Sequence, residues 1–380
     1  MNPLGQYSPE EFLAEYWQQK PLHIPNAYAA DFIEQLIDGD TLAGLSLEEE
    51  VESRLVFGNL PVKDWQCEQG PFGDETFHQL PEKNWCLLVQ AVDHYLSEVA
   101  ALKQDFNFVP FWQFDDIMAS YSTPGGGVGP HYDNYDVFLL QGTGERQWQL
   151  SSPKADWTFV KDSPLKIIEH WQPEQTVQVK PGDLLYVPAK WGHFGVSKAP
   201  SITLSIGYRT PNDQELCSLL ADFTAQSTAR FFSDAAATAQ APGLLSDASI
   251  KQLKELIISQ IEQPEFEILL ARYLSLSKYD DAADLDHKQA ITGPQPQSVV
   301  QQLLNESTKI LLAPDVRCFY LAVQSTLFVD GYAIKISPDQ RPLAQQLADT
   351  GQIDDANAIA ARELDFIAQL FTINAIEFSH

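Results

Sequence analysis

The chain has 380 residues, 24 lysines and arginines against 52 acids, a formal net charge of −28, and 44% hydrophobic residues. This length exceeds one ordinary domain and predicts two or three units. The negative balance argues against a grip on nucleic-acid phosphates and favours a basic protein or peptide as partner, with plain solubility as the alternative. There is no apolar run of membrane-spanning length, and MNPLGQYSPEEF lacks a basic n-region and an apolar h-region. A soluble cytoplasmic protein is therefore expected. Cys67, Cys86, Cys217 and Cys318 show no CxxC spacing, which disfavours a zinc ribbon and predicts reduced, mostly buried thiols.

In chain order, Ser8 before PEEFLAEYW predicts a capped helix with proline in its first turn, and KPLHIPNA reads as extended. Between about 111 and 210 the texture becomes β-rich, with FWQFDDIMASYST, YDVFLLQG, RQWQLSS, TVQVKPGDLLYVPA and ITLSIGYRT separated by Gly, Pro and Asp turns. That regular spacing predicts a sandwich or barrel. After Pro211, NDQELCSLLADF carries Leu216, Leu219, Leu220 and Phe223 at helical spacing, and 246–277 continues with Leu253, Leu256, Ile257 and Ile261. From about 264 onward helices flank CFYLAVQSTLFVDGYAIKI, in which Asp330-Gly331 is a strong hairpin signal. Helices with a hairpin allow a winged-helix-like module. That stretch holds 8 lysines and arginines against 16 acids, which makes DNA reading a poor fit.

The chemistry concentrates in YSTPGGGVGPHYDNYDVFL. Residues two apart on a strand share a face, so His131 and Asp133 can offer an imidazole and a carboxylate to one ion. The glycines before them are expected to let the backbone pass close to a bound group. KPGDLLYVPAKWGHFG then delivers His193, sixty residues beyond Asp133, from what is expected to be a facing strand of the barrel. Two histidines and one acid suit a non-haem Fe(II) oxygenase, with zinc as the rival metal. His23, His78, His94, His170, His287 and His380 have no acid two positions on and read as structural or surface residues.

An iron oxygenase fed by a 2-oxo acid needs a cation for the distal carboxylate. Arg146 in QGTGERQWQL offers a planar fork for it, and Ser122 a hydroxyl. The alternative is a surface arginine beside Glu145. By strand parity Asp116, Met118 and Ser120 share the face of Ser122, and Tyr135 that of His131 and Asp133. An acid and a phenol there would suit a cationic substrate, although Asp116 on parity alone could equally face solvent.

PGGGVGPHYDNYDVFLLQGTGERQW, KPGDLLYVPAKWGHFG and SIGYRTPN, with YWQQKPLHIPNA, ESRLVFG and WCLLVQAVDHY nearer the start, closely resemble the bacterial JmjC-class ribosomal oxygenases. These are cupin-fold arginine 3-hydroxylases acting on large-subunit ribosomal protein sixteen. The likeness covers about the first 210 residues well and is looser afterwards. It implies an α+β chain with a double-stranded β-helix (jelly-roll) core within a JmjC catalytic domain over 1–210. A helical dimerisation module over 211–263 and a winged-helix-like domain over 264–380 would follow. It further implies Fe(II) on His131, Asp133 and His193, and 2-oxoglutarate, a co-substrate with O2, on Arg146 and Ser122. The substrate arginine would sit between Asp116, Tyr135 and Met118, and a hydroxyl would replace a hydrogen on its side chain. The partner would be a basic ribosomal protein, the chain a homodimer, and DNA and membrane would not be bound. Open alternatives are a related JmjC enzyme that hydroxylates histidine or lysine or demethylates lysine, and a non-catalytic acidic cupin that binds ribosomal proteins.

Overall fold

The computed structural model describes residues 2–58, 65–225, 227–230, 243–288, 291, 296–321, 324–356 and 359–379. It divides into two compact units, Met1–Thr210 and Pro211–His380.

The first unit is built on two antiparallel sheets. The strands are β1 (Leu22–Ile24), β2 (Ser53–Phe57), β3 (Gln66–Gln69), β4 (Trp85–Val89), β5 (Phe114–Ser122), β6 (His131–Tyr132), β7 (Val137–Thr143), β8 (Arg146–Ser151), β9 (Gln175–Val179), β10 (Leu184–Val187), β11 (Gly192–Ser197) and β12 (Ser201–Tyr208). The larger sheet runs β1-β10-β7-β12-β5-β4-β2-β3, and the smaller runs β6-β11-β8-β9.

Every residue of β12 is buried, because both faces of the large sheet are covered. One face supplies Ile117 and Ala119 of β5, Phe138 and Leu140 of β7, and Leu204 and Ile206 of β12 to a core shared with Phe12 and Ile33 of the N-terminal helices. The opposite face looks into the jelly roll. It contributes Val137 and Leu139 to a cluster with Trp148 and Leu150 of the small sheet. Cys86, Leu88 and Met118 join Phe194 in a second cluster. On β5 and β12 the inward positions are small and polar, namely Ser120, Ser122, Ser201 and Thr203, all buried. A strand that alternates apolar and small polar residues while buried throughout must enclose a polar site on one side.

Local signals behave as expected at several ends. Ser8 forms a capping box with Glu11 at the helix Pro9–Glu15, and Asn212 does the same with Glu215 at Asp213–Thr224. The helical stretch after 246 breaks at Pro264 into Asp247–Ile261 and Pro264–Ser275, since proline starts a helix well and continues one badly. In the second unit Thr326–Val329 pairs with Tyr332–Lys335 across Asp330 and Gly331, whose φ values of 45 and 78 give the left-handed pair that a tight hairpin needs. Arg317 and Val316 are buried, as are Leu327, Phe328, Val329 and Ile334 of this hairpin.

Two expectations need correction. All four cysteines are free, but only Cys86 and Cys318 are buried, while Cys217 is exposed. The strand of His193 does not face that of His131 across a barrel. β11 is the direct antiparallel neighbour of β6, with His193 paired to His131. His380 lies outside the described residues.

Candidate active site

The register of β6 on β11 does most of the assembly. It brings the rings of His131 and His193 to 4.3 Å between centroids. Asp133 lies just beyond the two-residue β6, where the chain has left the strand. Its Oδ2 stands 3.8 Å from His131 Nε2 and 3.5 Å from His193 Nε2. Two ligands about 2.1 Å from one ion are at most about 4.2 Å apart, so an ion can span this gap. Among the described residues this is the one cluster of three or more histidines, cysteines or acids whose ligand atoms lie together, all within 4.8 Å.

Both rings are oriented by backbone. His131 Nδ1 lies 2.9 Å from the Gly129 carbonyl, and His193 Nδ1 lies 3.1 Å from the Trp191 carbonyl. A carbonyl only accepts, so each Nδ1 carries the proton and each Nε2 presents its lone pair to the common point. Burial, reinforced by His131 and opposed by Asp133, pushes His193 down to about 4, which keeps it neutral and ligand-ready near pH 7.

The glycines before His131 have another cause than the one expected. A Cβ on Gly126 would come within 2.2 Å of the Trp85 carbonyl, and one on Gly127 within 2.2 Å of the Gly195 carbonyl. Protein backbone, not a bound group, demands them. Gly192 is held bare by the rings of Trp171 and Trp157, 2.8 and 2.9 Å from where its Cβ would stand.

Arg146 opens β8, paired with Ser197 of β11. It is therefore four residues along the strand from His193, about 13 Å at 3.3 Å per residue, and on the same face. Only 4% of it is exposed, which removes the surface alternative. Nε donates to Ser197 Oγ at 3.2 Å, Nη1 to Ser120 Oγ at 3.2 Å and Nη2 to Ser122 Oγ at 2.6 Å. Its guanidinium also lies over the Trp148 ring, 5.6 Å from the centroid. Among the described residues no carboxylate reaches ion-pair distance of it. A buried guanidinium held by neutral hydroxyls is an incomplete ion pair, and burial weakens its hold on its proton.

The remaining predicted residues are placed less uniformly. Asp116 is 5% exposed and accepts from the Ala91 N–H at 2.9 Å, so it does not face solvent. Met118 packs inward with Leu88 and Phe194. Tyr135 lies beyond β6, so strand parity does not position it, and it is 42% exposed. Desolvation and the nearby carboxylates of Asp133, Asp116 and Asp115 push its phenol up.

Ser120 and Ser197 complete the ring of hydroxyls around Arg146 without a motif of their own. The signal for Ser197 was its parity with His193 in GHFGVS. Of the other described histidines, His23 meets Asp183 at 3.4 Å and His170 meets Glu169 at 3.9 Å, and none joins a cluster of possible ligands.

A family model described as "JmjC domain" matches residues 101–216. The "Ribosomal protein uL16 3-hydroxylase" of Escherichia coli is 36% identical over 71% of this chain and 72% of its own length. The chain belongs to the JmjC ribosomal oxygenases. A solved structure of the E. coli ribosomal oxygenase YcfD matches 99% of both chains at 30% identity with a TM-score of 0.81, and YcfD has also been solved in complex with cobalt and 2-oxoglutarate. The His-Asp-His cluster groups three possible ligands for a divalent ion, and Arg146 is a buried guanidinium held by hydroxyls, with no carboxylate at ion-pair distance among the described residues.

Proposed function

We propose that the chain is an Fe(II)- and 2-oxoglutarate-dependent protein hydroxylase that acts on an arginine side chain of a large-subunit ribosomal protein. The observation that carries this reading is the buried Arg146 guanidinium, ringed by Ser120, Ser122 and Ser197 on the same strand face as His193. Its E. coli relative is named for 3-hydroxylation of ribosomal protein uL16.

Iron with 2-oxoglutarate and O2 supplies the oxidising chemistry when bound. His131, Asp133 and His193 would hold the ion from one side and leave its other positions free. Arg146 would take the distal carboxylate in a charge-assisted fork, with Ser122 turning its hydroxyl toward the same group. The apolar residues Leu88, Phe194 and Met118 line the interior and exclude water from the reacting carbon. Asp116 and Tyr135 would receive the substrate guanidinium, with Met118 against its aliphatic stem, and the carboxylates around Tyr135 would attract a cation. The formal charge of −28 draws a basic ribosomal protein toward the enzyme.

The second unit would carry a helical dimerisation module over 211–263 and a winged-helix-like domain over 264–380. The helix Asp247–Ile261 buries none of its residues and exposes Leu253, Ile257, Ile258 and Ile261, an apolar face that a second copy would cover. The acidic terminal domain is not suited to DNA. No helix among the described residues is long and apolar enough to cross a membrane, which agrees with work on ribosomal proteins in the cytoplasm.

Incubation of the iron-loaded protein with 2-oxoglutarate and the basic ribosomal protein should add one oxygen atom to one arginine. Modification mapped instead to histidine or lysine would move the protein to a sister activity. Binding without succinate release would make it a non-catalytic partner.

A further inference from the structure

The approach to Asp116 contains a second cation, Arg54. It sits on β2 opposite Leu88 of β4, and Leu88 sits opposite Ser120 of β5. Strand parity therefore turns Arg54 to the interior face that carries Ser120 and Asp116. Between the two stands Gln90, directly after β4. With its amide oriented so that both ends find partners, Gln90 donates to Asp116 Oδ2 at 3.3 Å and accepts from Arg54 Nη2 at 3.2 Å. Arg54 Nε is buried and has no hydrogen-bond partner, and among the described residues no carboxylate lies within ion-pair distance of Arg54.

The stretch that holds Gln90 is fixed to β5. The Gln90 N–H donates to the Glu52 carbonyl at 2.9 Å. Ala91 adopts a left-handed conformation, φ 49, and donates its N–H to Asp116 Oδ2 at 2.9 Å, an arrangement a non-glycine residue keeps only under tertiary constraint. Asp93 Oδ1 accepts from the Ile117 N–H at 2.8 Å, and Asp93 Oδ2 meets Lys103 at 2.8 Å.

A guanidinium and a carboxylate on one desolvated face attract strongly, and direct contact is the expected outcome unless something satisfies both. Arg54 bears the same group as the substrate side chain, so an internal Arg54–Asp116 pair would occupy the acceptor the substrate needs. A neutral amide solves this, because its oxygen takes a guanidinium N–H while its nitrogen serves the carboxylate.

We propose that Gln90 is a positioning residue that orients Asp116 and keeps Arg54 off it, so that the carboxylate is reserved for the guanidinium of the substrate. This rests on the reading that Asp116 is the substrate acid.

The test uses the full chain loaded with Mn(II) and titrated with a fluorescent basic peptide containing the target arginine, together with steady-state hydroxylation of that peptide by the iron form. Gln90→Ala should weaken peptide binding about 10-fold or more and raise the peptide KM in parallel, with kcat and the KM for 2-oxoglutarate within about twofold of wild type. Arg54→Met alone should change binding by less than about threefold, and Arg54→Met with Gln90→Ala should recover to within about threefold of wild type. Such a rescue cannot come from a merely damaged fold. Wild-type affinity in Gln90→Ala, or a double variant as weak as Gln90→Ala, overturns the proposal. Asp116→Asn run alongside separates the layers. If it binds peptide normally, the substrate-acid reading and this proposal fall together. If it weakens binding while Gln90→Ala does not, only the proposal falls.

Discussion

Two buried arginines, one in each unit, show how differently a fold can use the same group. Arg317 in the second unit and Arg146 in the first are 9% and 4% exposed. Arg317 donates from Nη1 to the Leu276 carbonyl at 2.5 Å, and nearby Arg272 donates to the carbonyls of Gly331, Leu285 and Lys288. These oxygens belong to helix ends and turns, so the guanidinium groups stitch the backbone of that unit together. Arg146 meets side-chain hydroxyls instead. A hydroxyl rotates, gives its own proton to an incoming carboxylate, and loses little when the guanidinium turns toward a ligand. Carbonyl partners suit a structural arginine, whereas rotatable hydroxyls leave a guanidinium able to turn toward a ligand.

The sharpest break in this comparison is in the metal donors. His131→Ala or His193→Ala should abolish peptide hydroxylation and metal retention, read by mass spectrometry and metal analysis, because two donors no longer close the site. Next comes the pair of arginines. Arg146→Met should raise the KM for 2-oxoglutarate about 100-fold, the loss of two charge-assisted bonds of about 1.5 kcal/mol each, with melting temperature unchanged or higher. Arg317→Met should do the reverse, costing about 1–3 kcal/mol in denaturant unfolding by orphaning the Leu276 carbonyl and emptying volume, with the 2-oxoglutarate KM unchanged. Equal behaviour of the two variants would erase the distinction.

Gly127→Ala tests the frame that positions His131. Its Cβ would meet the Gly195 carbonyl, an atom that cannot move aside alone, so about 1–3 kcal/mol of stability should be lost. The smallest effect on chemistry belongs to the exposed helix of the second unit. Ile257→Ser with Ile261→Ser should shift sedimentation from dimer toward monomer while peptide hydroxylation stays within about twofold.

Much of this was legible in the sequence for identifiable reasons. Strand runs with polar punctuation, capping residues such as Ser8 and Asn212, and the Asp330-Gly331 turn are local signals, and local signals survive into the fold because the backbone alone enforces them. The triplet of His131 and Asp133, the distant His193, and the parity of Asp116 with Ser120 and Ser122 are carried by residue type and spacing. Asp133 and Tyr135 both lie beyond β6, which ends at Tyr132, and a period-two rule holds only while the strand lasts; Asp133 still reaches both histidines, whereas Tyr135 stands 42% exposed.

The sequence by itself determined which side chains could bind a cation or a dicarboxylate, because chemical identity and strand alternation are written residue by residue. Only the tertiary structure decided that β11 lies beside β6, that Ser197 and Ser120 close around Arg146, that no described carboxylate reaches it, and that backbone contacts demand the glycines. Those depend on strand register and on burial, which arise from contacts between segments far apart in the chain and have no signature within any one of them.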